Sequence, residues 1–443
     1  MDHNNSTSAG QYLALYTDHG DTLRAHSPEA LNVRRASAAE ALEADGSLPA
    51  MFAPDFGLNI ARLPMATADT AAFHCHVPAL SALMAVVVND SYHPTKPLLT
   101  NCPEGLEVMS FANAAKTCPG ILEKYYDTLA AKGDATARLN TLLAQDGVMI
   151  HVRRGARIDR LIQIVNLFTA AAPTMAVRRV LIVMEEDSEL KVLLCDHTTS
   201  AGVQFLSSQV VEIFISRGAS LELYSMEDTT AETSRCSQAF ARLDNEGSIR
   251  FNSASLHGGQ TRNTYRIDLD GEHAEADLSG LVIADGARRV NNEVNVHHNA
   301  PHCRSRQLFK YALYDEARCG FGGNIVVGYG AHHTDASQTN RNLLSSPAAR
   351  MDARPHLEIY CDDVKCSHGA TTGQLDAAAL FYMRSRGIPL AEARNMLVQA
   401  FMADVLDNIG PEQLRDRLRM LVDKRLCGTH SACGDCITQC SAK

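Results

Sequence analysis

Two carboxylates and two metal-binding side chains fall within seven residues toward the C-terminal end of the chain: Asp362, Asp363, Cys366 and His368. Cys366 and His368 are two positions apart, and side chains two apart on a β-strand point to the same face. If a strand runs through both residues, a thiolate and an imidazole lie side by side, and iron–sulfur clusters accept both ligand types. The spacing therefore predicts an iron–sulfur ligand pair.

The flanking sequence predicts a strand before this pair and a helix after it. Residues 357–361 alternate apolar and polar side chains, which is typical of a strand with one buried face. Gly369 and Gly373 are predicted to turn the chain, and a helical pattern opens at Leu375 and Asp376. We therefore expect the ligand pair at a junction between a strand and a helix.

A long motif surrounds the pair. Residues 362–376 read DDVKCSHGATTGQLD, and residues 380–388 read LFYMRSRGI. This pattern resembles the SufB/SufD family, the two related scaffold subunits of the SUF iron–sulfur cluster assembly machinery, and the CSHGA run at 366–370 points to the SufD side. The resemblance continues through 338–344 and, more loosely, through 297–305.

The resemblance implies a fold and a role. It implies a right-handed parallel β-helix and a non-catalytic scaffold that pairs with a SufB-like subunit and docks SufC, the ATPase subunit of the system. His368 would offer its imidazole to a transient iron–sulfur cluster shared with the SufB-like partner, with Cys366 as a neighbouring thiolate. A homodimer is possible where that partner is missing.

Composition bounds the function independently. The chain has 443 residues and a formal net charge of −10, without the clustered lysines and arginines that nucleic acid requires. It shows no secretory signal and no apolar run near the ~20 residues of a membrane span. The thirteen cysteines are scattered and odd in number, which suits the reducing cytoplasm. We therefore expect a cytoplasmic protein without nucleic-acid or membrane partners.

The pattern along the chain predicts a mainly β protein in three regions. Residues 1–146 are mostly helical, and residues 147–368 carry short apolar runs between turn residues at intervals of roughly 30 residues, as in a stacked solenoid. Residues 369–443 form a helical region with a cysteine-rich tail. Apolar stripes at 390–405 and 414–422 predict two helices there.

The tail offers a second candidate metal site. Cys433, Cys436 and Cys440 form a C-x-x-C pair with a third cysteine close behind, and such thiolates bind zinc or iron. The alternative function is therefore a self-contained metal-binding protein that uses this tail. A terminus that binds nothing is an equal possibility.

Other motifs favour structure over catalysis. No Walker phosphate loop occurs, and the glycine-rich run 320–324 is predicted to be a tight corner of the solenoid. Segments 297–303 and 195–197 carry several potential ligands, but their spacing fits no closed zinc pattern, so structural roles are expected. A polysaccharide-active β-helix enzyme is the remaining rival, and the absence of tryptophan disfavours it.

Overall fold

The computed structural model describes residues 8–54, 56–58, 83–200 and 202–427. The helices in these residues are α1 (Gly10–Ala25), α2 (Glu29–Asp45), α3 (Lys96–Thr100), α4 (Phe111–Thr117), α5 (Pro119–Tyr125), α6 (Ala135–Leu143), α7 (Ala377–Ser385), α8 (Leu390–Asp407) and α9 (Glu412–Leu426). None of them is long and apolar enough to cross a membrane.

The strands of the N-terminal half are β1 (Gly57–Leu58), β2 (Met84–Val88), β3 (Ser91–Pro94), β4 (Leu106–Ser110), β5 (Val148–Val152), β6 (Arg157–Phe168), β7 (Thr174–Met184), β8 (Glu189–Thr198), β9 (Phe205–Ile215) and β10 (Ser220–Asp228). Those of the C-terminal half are β11 (Thr233–Leu243), β12 (Ser248–Ser255), β13 (Gln260–Leu269), β14 (Glu275–Ala284), β15 (Arg289–His298), β16 (Arg304–Leu313), β17 (Arg318–Val327), β18 (Asp335–Leu344), β19 (Arg350–Ile359) and β20 (Lys365–Gly373).

From β5 onward the chain winds alternately through two sheets. Sheet A contains the odd-numbered strands from β5 to β19, and sheet B contains the even-numbered strands from β6 to β20. Each strand pairs in parallel with the strand two positions along the chain. This is the parallel β-helix predicted from the sequence, and the prediction is confirmed.

The coils stack in register with a nearly constant length. In sheet B, Ser220 lies beside Ser248, Ser248 beside Glu275, and the series continues through Arg304, Asp335 and Lys365. Successive members are 27 to 31 residues apart, which matches the interval predicted from the apolar runs.

Each coil enters sheet B through a residue with a positive φ angle, two positions before the strand. These residues are Gly155, Asp187, Gly218, Glu246, His273, His302, His333 and Asp363. A left-handed backbone is costly for most side chains. Hydrogen bonds from coil to coil offset the cost, as in the N–H of His302, which donates to the carbonyl of His332 at 2.8 Å. The corner residues therefore stack, with ring centroids 4.8 Å apart for His273 and His302 and 4.7 Å apart for His302 and His333.

The interior of the solenoid is apolar along most of its length, since alternate strand residues such as Val192, Leu223, Phe251 and Leu278 point inward. One corner of the interior instead holds charge. The fully buried side chain of Asp196 accepts hydrogen bonds from Arg235 at 2.5 Å and Asn166 at 2.7 Å and pairs with Arg178 at 3.2 Å.

The two ends of the solenoid are finished differently. At the N-terminal end, β3 and β4 run antiparallel to their neighbours β2 and β5 and close the two sheets. The N-terminal helices pack on the outer face of the early sheet A strands, where Arg179 pairs with Asp127 at 3.0 Å and Glu212 at 2.9 Å. At the C-terminal end, sheets A and B stop at β19 and β20.

Helices α8 and α9 cover the outer face of sheet B, which confirms both predicted C-terminal helices. Leu414, Leu418 and Leu421 pack with Tyr224 and Leu281 of the sheet. The ammonium group of the buried Lys310 donates to the carbonyl of Phe401 at 2.7 Å and to Asp404 at 2.5 Å. These two helices thus belong to the folded core of the protein.

One prediction concerns the charged corner. Burial raises the pKa of Glu227, which accepts hydrogen bonds from Thr261, to about 7. The folded protein therefore holds a proton that the unfolded chain releases near pH 4.5, so stability falls as pH rises through 7. Glutamine cannot lose a proton, so the free energy of unfolding of Glu227→Gln should not show this fall. Measured by denaturant unfolding, the difference between Glu227→Gln and wild type should rise in favour of the variant by up to about 3 kcal/mol between about pH 5 and about pH 8.

Glu275→Gln is the matched control, because the Glu275 side chain is exposed and its loss should change stability equally at both pH values. If the difference in the free energy of unfolding between Glu227→Gln and wild type is constant across this pH range, Glu227 is not a buried, protonated carboxyl group.

Candidate functional site at the open end of the β-helix

Strand β20 is the last strand of sheet B and carries the predicted ligand pair. It pairs with β18 on one side, and its other edge faces no strand in the described residues. All of its residues except the half-buried Cys366 are exposed. An unpaired edge of this kind presents a row of free backbone N–H and C=O groups to any strand that can join it.

The register of β20 places Cys366 and His368 on one face. Cys366 lies beside Ala336 and His368 beside Gln338, and both β18 partners point into the solenoid and are buried. The sequence-based expectation that the strand pleat continues through both residues agrees with this register. The turn predicted at Gly369 is wrong, because the strand runs on to Gly373 and Asp376 then caps α7 by accepting from the N–H of Ala378.

The two residues meet different surroundings. Cys366 packs with Val364 and Leu357 against a small apolar cluster that includes Ile325 and Ala336. Burial raises the pKa of the Cys366 thiol, and the nearby Asp335 carboxylate raises it further. A metal ion that binds this sulfur must therefore displace its proton. His368 is exposed at the edge and is accessible to a ligand from outside the chain.

A hydrogen bond between two buried glutamine side chains lies next to the strand that carries Cys366 and His368. The amide of Gln338, directly beside His368, donates to Gln307 at 2.8 Å inside the solenoid. A Cβ atom on Gly323 would lie only 1.9 Å from the Gln338 amide nitrogen. The glycine-rich run 320–324, which includes Gly323, lies in the middle of strand β17, so the prediction that it forms a corner of the solenoid is wrong. Gly323 is needed because it leaves room for a side chain of the opposite sheet.

The neighbouring carboxylates do not complete a metal site. Asp363 pairs with His333 at 3.0 Å, and Asp362 is exposed beside it. In the described part of the chain, no group of three or more His, Cys, Asp or Glu side chains is arranged to hold a metal ion. Cys366 and His368 can supply part of a ligand set, and the remaining ligands must come from another molecule.

The other candidate ligand positions lie either outside the described residues or in structural surroundings. Cys433, Cys436 and Cys440 lie outside the described residues, so the tail site stays a prediction. In segment 297–303, the buried His298 contacts the hydroxyl of Ser305 at 2.8 Å, and burial lowers its pKa to about 4.

Cys303 is buried as well, and its thiol donates to the carbonyl of Gly271 at 3.2 Å. In segment 195–197, at the end of β8, Asp196 joins the charged corner. Both segments therefore have the structural surroundings expected from their sequence.

Sequence reasoning missed the apolar surface near this end of the molecule. Several large apolar side chains of the last coils and of α7 are exposed: Tyr329, Ile359, Tyr360, Phe381 and Tyr382. Phe381 is 74% exposed and Tyr329 is 83% exposed. Single exposed apolar residues are ordinary, but the rings of Tyr329 and Tyr360 are 5.4 Å apart and form a contiguous apolar patch, which is typical of an interaction surface. The signal was present in the sequence as aromatic residues at outward positions.

Comparison with known proteins gives the family. A model described as the SufBD core domain of SUF iron–sulfur cluster assembly matches residues 167–401, and one described as the SufBD N-terminal region matches residues 6–164. An iron–sulfur cluster assembly SufBD family protein of Synechocystis is 26% identical over 363 residues, which cover 80% of each chain.

Two proteins named SufD are also similar. The iron–sulfur cluster assembly protein SufD of Escherichia coli is 37% identical over 184 residues, 41% of this chain and 44% of that protein. SufD of Bacillus subtilis is 24% identical over 326 residues, 73% of this chain and 74% of that protein. With both family models and these relatives in agreement, the chain belongs to the SufB/SufD family of SUF iron–sulfur cluster assembly proteins and is of the SufD type.

Proposed function

We propose that this protein is a non-catalytic scaffold that contributes one half of a nascent iron–sulfur cluster site and joins a SufB-like subunit along β20. Its part in iron–sulfur cluster assembly follows from the family. The observation that carries the finer proposal is the C-terminal end of the solenoid, where an exposed edge strand bears Cys366 and His368 on one face.

An incomplete ligand set favours a shared cluster over a resident one. Two side chains cannot satisfy a cluster that ordinarily takes four protein ligands. A neutral imidazole and a thiol of raised pKa hold iron less firmly than preformed thiolates do. Weak ligation on one side of an interface suits a site whose cluster must later leave.

The edge of β20 supplies the pairing surface in this proposal. The N–H of Lys365 donates to the carbonyl of Thr334, so the backbone groups of Lys365 and of every second residue after it face β18. The groups of Cys366, His368 and Ala370 then face outward. A strand of a SufB-like subunit that pairs there would continue sheet B across the interface and would bring its own ligands next to His368.

A second surface is proposed to dock the SufC-like ATPase subunit. Helix α7 has no buried residue and exposes Phe381 and Tyr382, and its Ala377 and Leu380 line a groove of about 460 Å³ between α7, α8 and the turn at 345–347. Helices α8 and α9 pack their apolar faces on sheet B, whereas α7 exposes Phe381 at 74% and Tyr382 at 58%, which favours α7 as the docking helix. The ATPase activity of the assembly belongs to that partner.

The cytoplasm is the proposed compartment. The cysteines in the described residues are all free, including the buried Cys303 and Cys319. Free thiols persist where the environment is reducing.

The ligand role of His368 is tested by reconstitution of the purified complex with iron and sulfide, followed by visible absorbance. His368→Ala should leave the complex assembled, because the side chain is exposed, and should lower the cluster yield several-fold. Cys366→Ser should lower it as well. His356→Ala is the control, since His356 is an equally exposed histidine on the outer face of β19. A wild-type yield in His368→Ala would exclude His368 as a required ligand.

The pairing edge is tested by Ala370→Pro. Proline removes an outward N–H at an edge strand without removing a hydrogen bond to β18. Co-purification with the SufB-like subunit should fall at least tenfold, while the circular dichroism spectrum stays that of the wild type. Ala370→Ser, which keeps the N–H, should pair normally. If a folded Ala370→Pro protein still pairs with the SufB-like subunit, that interface does not lie along β20. If Ala370→Pro still forms a homodimer, the homodimer does not use this edge.

The ATPase surface is tested by Phe381→Ser. Because Phe381 is 74% exposed, the substitution should not disturb folding, and the affinity for the SufC-like subunit should fall at least tenfold in a pull-down titration. Leu99→Ser is the control, because Leu99 is 67% exposed on α3 in the N-terminal region. Equal affinities for both variants would exclude α7 as the docking helix.

A further inference from the structure

A second thiol–imidazole pair lies at the open end of the solenoid. The Sγ atom of Cys361 is 3.3 Å from Nδ1 of His332 and 3.3 Å from the carbonyl oxygen of Asp362. Cys361 is in the turn between β19 and β20, and His332 is in the turn between β17 and β18. The two residues are one coil apart, so coil stacking brings them together.

The coil repeat explains why the sulfur is available. Cys361 comes four residues before a sheet B strand, where the two preceding coils have Ala331 and Ala300. Both alanines are buried under the next coil. No coil follows Cys361 in the described residues, so its larger side chain remains half-exposed and reaches down to the exposed His332.

The separation of the two atoms suits a chelated metal ion. A tetrahedral zinc ion has Zn–S bonds of about 2.3 Å and Zn–N bonds of about 2.0–2.1 Å, which together set an S···N distance of about 3.5 Å. The observed 3.3 Å is within a few tenths of an ångström of that distance. An ion could therefore bind both atoms without a shift of either turn.

We propose that Cys361 and His332 form a two-ligand site for a thiophilic divalent cation, Zn²⁺ or Fe²⁺. Water or a partner's side chain fills the other positions, because no third ligand is in place among the described residues. The nearby Asp362 and Asp363 carboxylates are exposed and add negative charge around the site. Binding replaces the proton of the Cys361 thiol with the ion.

This pair is separate from Cys366 and His368, although Cys361 and Cys366 border the same small apolar cluster. Its binding requires neither the SufB-like subunit nor a cluster. A failure of the pairing proposal would therefore leave this site unaffected, and the reverse also holds.

The experiment is a titration of the full chain with Co²⁺, read as the thiolate-to-cobalt charge-transfer band in the near ultraviolet. Serine replaces Cys366, Cys433, Cys436 and Cys440 in the parent protein, so that those thiols do not contribute. In this background Cys361→Ser should abolish the band, and His332→Asn should weaken Co²⁺ binding at least tenfold. His273→Asn is the control, because His273 is an exposed histidine of an earlier coil corner that stacks on the ring of His302.

A second measurement guards against misfolded variants. In the wild-type chain, Zn²⁺ should slow alkylation of Cys361 at least tenfold, as followed by peptide mass spectrometry, and should leave the exposed Cys427 unprotected. Absence of a band in the parent protein, a band that survives Cys361→Ser, or equal alkylation of Cys361 with and without Zn²⁺ would each overturn the proposal.

Discussion

Parallel pairing in register between coils is the constraint on which the rest of this structure depends. Each strand from β5 to β20 hydrogen-bonds to the strand one coil away, so equivalent residues lie directly above one another. The inward positions then build one continuous apolar core, and the corner positions build a column of residues that share a left-handed backbone. A side chain is thus placed by its position in the coil, and its chemistry is set by how many coils cover it.

The amount of structure that covers a side chain divides the cysteines into two groups. Cys319 lies inside the solenoid and Cys236 lies under the N-terminal helices, and burial raises the pKa of their thiols to about 12 and about 11. Such thiols are inert to metal and oxidant at neutral pH. Cys361 and Cys366 belong to the last coil of the described residues and are only half-buried. The same fold therefore makes structural cysteines in its middle and candidate ligands at its end.

Sequence reasoning succeeded where the information is local or periodic. The coil interval, the two C-terminal helices, and the shared face of Cys366 and His368 all follow from spacing along the chain. It failed at Gly323 and Gly369, because a glycine signals either a turn or a missing side chain. The choice at Gly323 depends on Gln338, which approaches from the opposite sheet. The Cys361–His332 pair was missed for a related reason, since the two residues are 29 positions apart and only coil stacking unites them.

The asymmetry of the two ends links the fold to its function. A solenoid that stops without a cap exposes an unpaired edge and the last layer of its interior, and isolated solenoids generally carry polar caps for this reason. Here the N-terminal end has such a closure in the antiparallel strands β3 and β4. At the other end, the outward-facing backbone of β20 has no partner strand among the described residues, and Ile359 and Tyr360 are exposed. Another coil at this end would cover Cys366 and His368 and remove them from any partner, so the shared site that we propose requires this end to stay open.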